Sequence, residues 1–220
     1  GTEFSWYQAN RALQLAGGEG YMRDAPYEKV LRDIRIFPIF EGANDVMRAY
    51  IALNGFEPLT EYLSGLDGIS LRDPIRSIGV FLGYAGRRIE RQFAPDRMTL
   101  HHPALDSHAR AVSEQVKRLR NVTSDLLFKH RDAVRERQLD QKRLADSVSD
   151  IYAQIAVISR ISAGLADRGE MGAADERMVA ETFCVRAAGR VGRRLDQIES
   201  NDDARILEIA DLAYSPDGPI

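Results

Sequence analysis

Residues 139–168 read LDQKRLADSVSDIYAQIAVISRISAGLADR, and within them Val148, Ile151, Ile155, Ile158 and Ile161 recur at steps of three and four. That spacing lines one face of an α-helix, while Arg, Asp and Gln fill the positions between. A stripe of this kind is the core-facing edge of a helical bundle rather than a cofactor lining. Moving upstream, residues 104–137 carry Val112, Val116, Leu119, Val122 and Leu126 at steps of 4, 3, 3 and 4. Residues 75–93 and 173–199 hold further helical patterns, and Pro95, Pro103 and the Gly169–Gly172 region separate the four segments. No strand alternation interrupts them, so the expected fold class is all-α, a helical bundle.

The amino-terminal quarter is organised differently. Ala9, Ala12, Leu13 and Ala16 mark a helix from about residue 4 to 16, which Gly17 and Gly18 are expected to stop. Pro26 and Pro38 leave room for one short helix between them, with Pro26 suited to its first turn. A third helix is expected over residues 44–54, with Gly55 ending it. Pro58, Gly65, Gly68 and Pro74 concentrate breakers over residues 57–74. The expected organisation is therefore a first domain over 1–56, a linker over 57–74, a helical domain over 75–210, and an exposed tail over 211–220.

The whole chain has 220 residues, 44% hydrophobic and 29% charged, enough apolar material for a packed core. Its 30 Lys and Arg against 33 Asp and Glu give a net charge of -3, too near neutrality for electrostatic capture of nucleic acid. One cysteine, Cys184, rules out an intrachain disulfide and fits a reducing compartment. No uninterrupted apolar run reaches the roughly 18 residues a membrane span needs. The start at Gly1 has neither a basic leader nor an apolar signal core. An amino-terminal portion, with any targeting segment, is expected to be absent.

Chemistry concentrates in IFEGANDVMRAY, residues 39–50. Glu41 stands beside Gly42 and just before a helix start capped by Asn44 or Asp45. Two readings fit. One is an ordinary capped turn. In the other, helix amides attract an anion while glycine lets a ligand approach and the carboxylate swing.

Read as one stretch, QLAGGEGYMRDAPYEKVLRDIRIFPIFEGANDVMRAYIALNGF, residues 14–56, resembles the carboxyl-terminal signature of acyl-CoA dehydrogenases. The resemblance rests on Gly17, Gly18, Gly20 and Tyr21, then Pro26, Glu28, Arg32, Asp33, Arg35 and Ile36, then Phe40, Glu41, Gly42 and Asn44 in that order. HHPAL (101–105), RQLDQKRLAD (137–146), IYAQIAVISR (151–160) and ETFCVRAA (181–188) extend it to the very-long-chain branch, whose extra helical domain shorter-chain relatives lack. The glycine turn is not a dinucleotide fingerprint, because a helix precedes it and the full glycine spacing is missing.

The resemblance implies oxidation of a fatty acyl-CoA thioester to its trans-2-enoyl product, with FAD taking a hydride and electron-transfer flavoprotein taking the electrons. It implies Glu41 as the catalytic base, Phe40 and Gly42 as substrate contacts, and Ala43, Asn44 and Asp45 as positions that touch FAD. Gln14 and Gly18 match positions that approach the FAD of a neighbouring subunit, implying a homodimer or larger oligomer, although helix termination alone also accounts for this turn. Gln138 aligns with a position reaching FAD from the extra domain, and a solvated helical glutamine reads equally well. Ala43 replaces the usual Thr and removes one hydroxyl, and Lys29 replaces the commoner Arg and forfeits its bidentate fork. The resemblance also implies that this chain is a carboxyl-terminal piece, inactive by itself. The implied location is cytoplasmic in a bacterium, or the mitochondrial matrix or inner-membrane face in a eukaryote.

Other groups read as structural. Adjacent His101 and His102 diverge on regular structure and lack a third ligand, so no metal site is expected. Cys184 sits in an apolar helical pattern as an inert thiol, and Asp33 and Arg35 are expected in internal ion pairs. Residues 69–93, ISLRDPIRSIGVFLGYAGRRIERQF, mix apolar residues with Arg, which fits either a domain-packing helix or peripheral contact with a membrane. A reading from another class is a non-catalytic helical scaffold that binds a partner protein.

Overall fold

The computed structural model describes residues 1–64, 98 and 101–215. The proposed membrane-contact helix over 69–93, with the helix expected at 75–93, lies outside the described residues, as do 65–74 and 216–220. Among the described residues there are seven α-helices and no strand, in agreement with the all-α expectation. They are α1 (Thr2–Tyr21), α2 (Tyr27–Ile34), α3 (Asn44–Ser64), α4 (Asp106–His130), α5 (Gln138–Gly172), α6 (Ala174–Glu199) and α7 (Asp203–Tyr214). Two 3₁₀ turns, Pro103–Leu105 and Arg131–Arg135, flank α4. Spatial proximity divides the chain into Gly1–Tyr50 and Ile51–Ile220.

In the first unit α1 packs on α2. Helical geometry breaks at Gly17 (φ 61°, ψ -145°), as expected, but the chain resumes a helical turn and runs on to Tyr21. Gly20 explains the return: it is buried, and a methyl group there would lie 2.6 Å from Ala16 Cβ and 2.9 Å from the Leu13 carbonyl oxygen. Pro26 precedes α2 and its carbonyl accepts from Val30 N at 3.0 Å. The α2 surface pairs Glu28 with Arg32 at 2.8 Å and Lys29 with Asp33. Asp33 is thus in an exposed pair within its own helix, and the Arg35 guanidinium stacks over the Trp6 ring at 5.4 Å, which corrects the expectation of internal ion pairs for both.

In the second unit α4, α5 and α6 pack pairwise as a bundle. Among the buried residues of α5, Asp140, Leu144, Ser147, Ile151, Gln154, Ile158, Ile161 and Leu165 follow alternating steps of four and three, with Gln141 and Ala145 buried beside them. That is a heptad seam. The expected stripe was partly misphased, since Val148 and Ile155 are exposed while Ser147 and Gln154 are buried. Polar satisfaction is the reason: Ser147 Oγ donates to the Arg143 carbonyl at 2.7 Å, and Gln154 exchanges two amide hydrogen bonds with Gln115 at 2.8 and 3.1 Å. On α4, Val112, Val122 and Leu126 are buried and Val116 and Leu119 pack against the core, as expected. Ala180, Cys184, Ala187, Val191 and Leu195 complete the seam from α6, and each large apolar side chain so buried contributes about 1.5–3 kcal/mol.

Three boundaries differ from expectation. The segment expected to be helical to residue 137 leaves α-geometry at His130, where Arg131 takes φ 47° and a 3₁₀ turn follows. Gln141 holds that turn by donating to the Val134 and Arg135 carbonyls at 2.9 Å each. Gly55 does not end α3, which continues to Ser64. Residues 211–214, expected in an exposed tail, instead end α7, which continues to Tyr214.

Candidate active site

Overlapping turns carry the chain from α2 to α3. Phe37 N donates to the Ile34 carbonyl at 3.1 Å, and Ile39 N and Phe40 N both donate to the Ile36 carbonyl, at 2.9 and 3.1 Å. Asn44 N then donates to the Pro38 carbonyl at 3.0 Å and closes a loop over residues 38–44. The Phe37 and Phe40 rings support it, with centroids 5.9 Å apart and planes inclined by 33°.

Glu41 and Gly42 occupy the apex, both with positive φ, 52° and 102°. Glycine takes such a conformation freely, whereas for a residue with a side chain it costs on the order of 1 kcal/mol. The glutamate is held there by the closed loop on either side. Its carboxylate is exposed in this chain and no hydrogen bond or ion pair among the described residues engages it. A Cβ at Gly42 would sit 3.0 Å from Met47 Sδ, so the glycine also admits the first turn of α3 against the loop.

Ala43, not Asn44 or Asp45, carries the first helical carbonyl of α3, accepting from Met47 N at 2.9 Å. The expected cap therefore shifts by one or two positions, and the two polar side chains turn to other tasks. Thr2 Oγ1 donates to Asn44 Oδ1 at 3.0 Å. Arg48 Nη1 donates to Asp45 Oδ1 at 3.0 Å, and its Nη2 meets Glu3 Oε1 at 2.5 Å. The Arg48 side chain is only 14% exposed, so this guanidinium is held rather than freely solvated. These contacts bind the start of α1 to the start of α3, a link that had no signal in the sequence pattern.

Phe40, Glu41, Gly42, Ala43, Asn44 and Asp45 are thus gathered in one loop and helix start. Gln14 is exposed on α1 and Gly18 is exposed just past the Gly17 break. Gln138 belongs to the second unit, exposed as the first residue of α5. Among the described residues no group of three His, Cys, Asp or Glu side chains gathers at metal-binding distance. His101 Nε2 lies 3.2 Å from Asp106 Oδ1, and His102 Nδ1 accepts from Ala104 N at 3.2 Å as a helix cap. The Cys184 thiol is pushed up by burial and by the nearby Glu181 carboxylate, the setting of an unreactive cysteine.

The second unit holds polar anchors that the sequence reading missed. Asp150 accepts from Arg190 at 2.7 and 2.9 Å and from Arg194 at 2.6 Å. Asp140, at the head of the seam, accepts from Arg137 at 2.6 Å and Arg143 at 3.1 Å.

A helical unit bearing a carboxylate on a left-handed loop, followed by a three-helix bundle, matches two known families in the same order. The acyl-CoA dehydrogenase C-terminal domain matches residues 1–55, and the ACAD9/ACADV C-terminal domain matches residues 103–215. The human mitochondrial very long-chain specific acyl-CoA dehydrogenase is 34% identical over 205 residues, which cover 91% of this chain and 31% of that protein. A probable acyl-CoA dehydrogenase, FadE10, of Mycobacterium tuberculosis is 26% identical over 229 residues, covering 95% of this chain and 34% of its own length. The chain belongs to the acyl-CoA dehydrogenase family, and it spans about a third of the length of these relatives. A crystal structure of an acyl-CoA dehydrogenase from Bacillus anthracis, complexed with FAD, shares the fold with a TM-score of 0.69 at 22% identity over 95% of this chain and 33% of that one.

Proposed function

We propose that the intact protein is a fatty acyl-CoA dehydrogenase in which Glu41 removes the proton alpha to the thioester carbonyl. The observation that carries this reading is a carboxylate, unpaired among the described residues, on a constrained left-handed loop at the head of a helix, in a chain of this family. Polarising the thioester carbonyl acidifies the alpha carbon. Glu41 takes that proton onto its carboxylate oxygen, and the reaction needs no second base from this segment. Its carboxylate is exposed in this third of the length, so the dry environment that strengthens it as a base is supplied by the rest of the assembled protein. Phe40 and Gly42 flank the base and form the substrate contact on this side.

The donor set at the head of α3 fits FAD. Backbone amides at a helix start favour a diphosphate, Gly42 lets a ligand approach the chain, and Arg48 offsets the charge of Asp45. Ala43, Asn44 and Asp45 would hold it here, and Gln14, Gly18 and Gln138 would reach it from their own elements, the first two in a neighbouring subunit of a homodimer or larger oligomer. Ala43 offers only backbone where a Thr would add a hydroxyl. The chemistry a flavin held there would supply is acceptance of the hydride leaving the beta carbon. Electron-transfer flavoprotein is the proposed acceptor, and the proposed location is mitochondrial in a eukaryote, which the mitochondrial relatives support, or cytoplasmic in a bacterium. Among the described residues no helix is long and apolar enough to cross a membrane, and any membrane contact is proposed through residues 69–93.

Glu41→Gln in the full-length protein is the test. The variant is expected to bind FAD as the parent does while losing at least about a thousandfold in kcat with palmitoyl-CoA. Normal turnover in this variant would assign the base elsewhere, and a colourless wild-type protein without flavin would favour the scaffold reading.

A further inference from the structure

Resting on that reading of the Glu41 loop, we infer that Thr2 is a positioning residue for FAD binding, acting through the side-chain amide of Asn44. The Thr2 hydroxyl has one proton, and it goes to Asn44 Oδ1 at 3.0 Å. An amide whose oxygen is taken in this way presents its other end, the Nδ2 group with two N–H donors, and no group among the described residues engages those donors. A donor pair at a helix start, on a side chain that Thr2 holds in place, suits the phosphate or carbonyl oxygens of FAD.

Two further contacts keep the hydroxyl in place. The next residue, Glu3, meets Arg48, and Arg48 also holds Asp45 within α3, so the starts of α1 and α3 are joined at two points, Thr2 to Asn44 and Glu3 to Arg48. Pairing with Arg48 also partly offsets the Asp45 carboxylate, which would otherwise oppose an anion at the same helix start. Thr2 itself touches neither Glu41 nor the reacting carbons in this scheme; it anchors the Asn44 side chain at the helix start.

The test is the dissociation constant for FAD, read from flavin fluorescence on titrating the deflavinated full-length protein. Thr2→Val and Asn44→Ala are each expected to weaken FAD binding about five- to twentyfold, and Thr2→Ser to restore it to within about twofold. Because Thr2 acts through Asn44, the double variant binds FAD no more than about twofold weaker than Asn44→Ala alone. Thr2→Val binding FAD like the wild type, or a double variant losing the product of the two single losses, overturns the inference. If Thr2→Val does not fold, Thr2→Ala takes its place, and failure of both to fold would mark Thr2 as a folding residue and overturn it equally. Wild-type protein that takes up no FAD sinks the dehydrogenase reading itself, whereas FAD uptake indifferent to Thr2 sinks only this inference.

Discussion

Arg143 grips Asp203 with both arms of its guanidinium, Nη1 and Nη2 each donating to a carboxylate oxygen at 2.6 Å across 60 positions of sequence. The same Nη1 reaches Asp140 at 3.1 Å, so one arginine fastens the first residue of α7 to the head of the α5 seam. With Arg143 17% and Asp203 9% exposed, this is a largely desolvated fork. Asp203→Ala removes the two-armed grip and leaves the largely buried Arg143 only its longer contact with Asp140, and is expected to cost about 3 kcal/mol, measured as a fall in the urea midpoint. Asp33→Ala, which removes only an exposed pair with Lys29, is expected to leave the midpoint unchanged.

Acidity tests the other anchor. Burial alone would raise the Asp150 carboxyl, but the hydrogen bonds from Arg190 and Arg194 outweigh it and hold the group below the usual carboxylate range. Hydrogen bonding by Arg143 likewise lowers Asp203. A depressed folded-state pKa means the unfolded chain binds more protons in this window, so stability rises with pH there. The contribution is complete above the ordinary carboxylate pKa of about 4 and is lost as pH falls through the lower folded values. The urea midpoint is therefore expected to be flat above about pH 5 and to fall below it, and Asp150→Asn should flatten that acid limb.

Two isoleucines three positions apart distinguish the observed seam from its alternatives. Ile158 is 1% exposed and Ile155 37%. Ile158→Ala should cost about 3–4 kcal/mol in chemical denaturation, Ile155→Ala no more than about 1 kcal/mol. Equal losses would mean that α5 presents a different face.

Glycines at 42 and 55 should respond with opposite signs to the same substitution. At Gly42, with φ 102° and Met47 Sδ 3.0 Å from the added methyl, Gly42→Ala is expected to cost about 1–2 kcal/mol. Gly55 lies inside α3 with nothing within 4 Å of where a methyl group would stand, and Gly55→Ala should stabilise by about 0.5–1 kcal/mol. Thermal melts of the two variants on either side of the parent would bear this out.

The sequence showed the fold where apolar spacing and burial coincide. The α4 residues Val112, Val122 and Leu126 were legible because nothing competes with them for the core. On α5 the apolar residues Val148 and Ile155 misled, because hydrophobicity cannot reveal that Ser147 and Gln154 have partners waiting on the Arg143 carbonyl and Gln115. At the site, the Glu41–Gly42 pair was legible as a carboxylate beside a permissive backbone, but the positive φ of Glu41 itself depends on Asn44 N closing onto Pro38, which no local pattern encodes. The contacts of Thr2 and Glu3 with residues 44 and 48 depend on tertiary folding and were equally invisible.

The paired glutamines at 115 and 154 fix how far along one another two long rods can slide. Moving α4 by a single turn, about 5.4 Å, would leave the buried Gln154 amide without its cross-helix partner, so neighbouring alignments are disfavoured even where their apolar surfaces would mesh. Replacing both with leucine would give a greasier, tougher bundle with several near-equivalent ways to assemble, and the present pair keeps one.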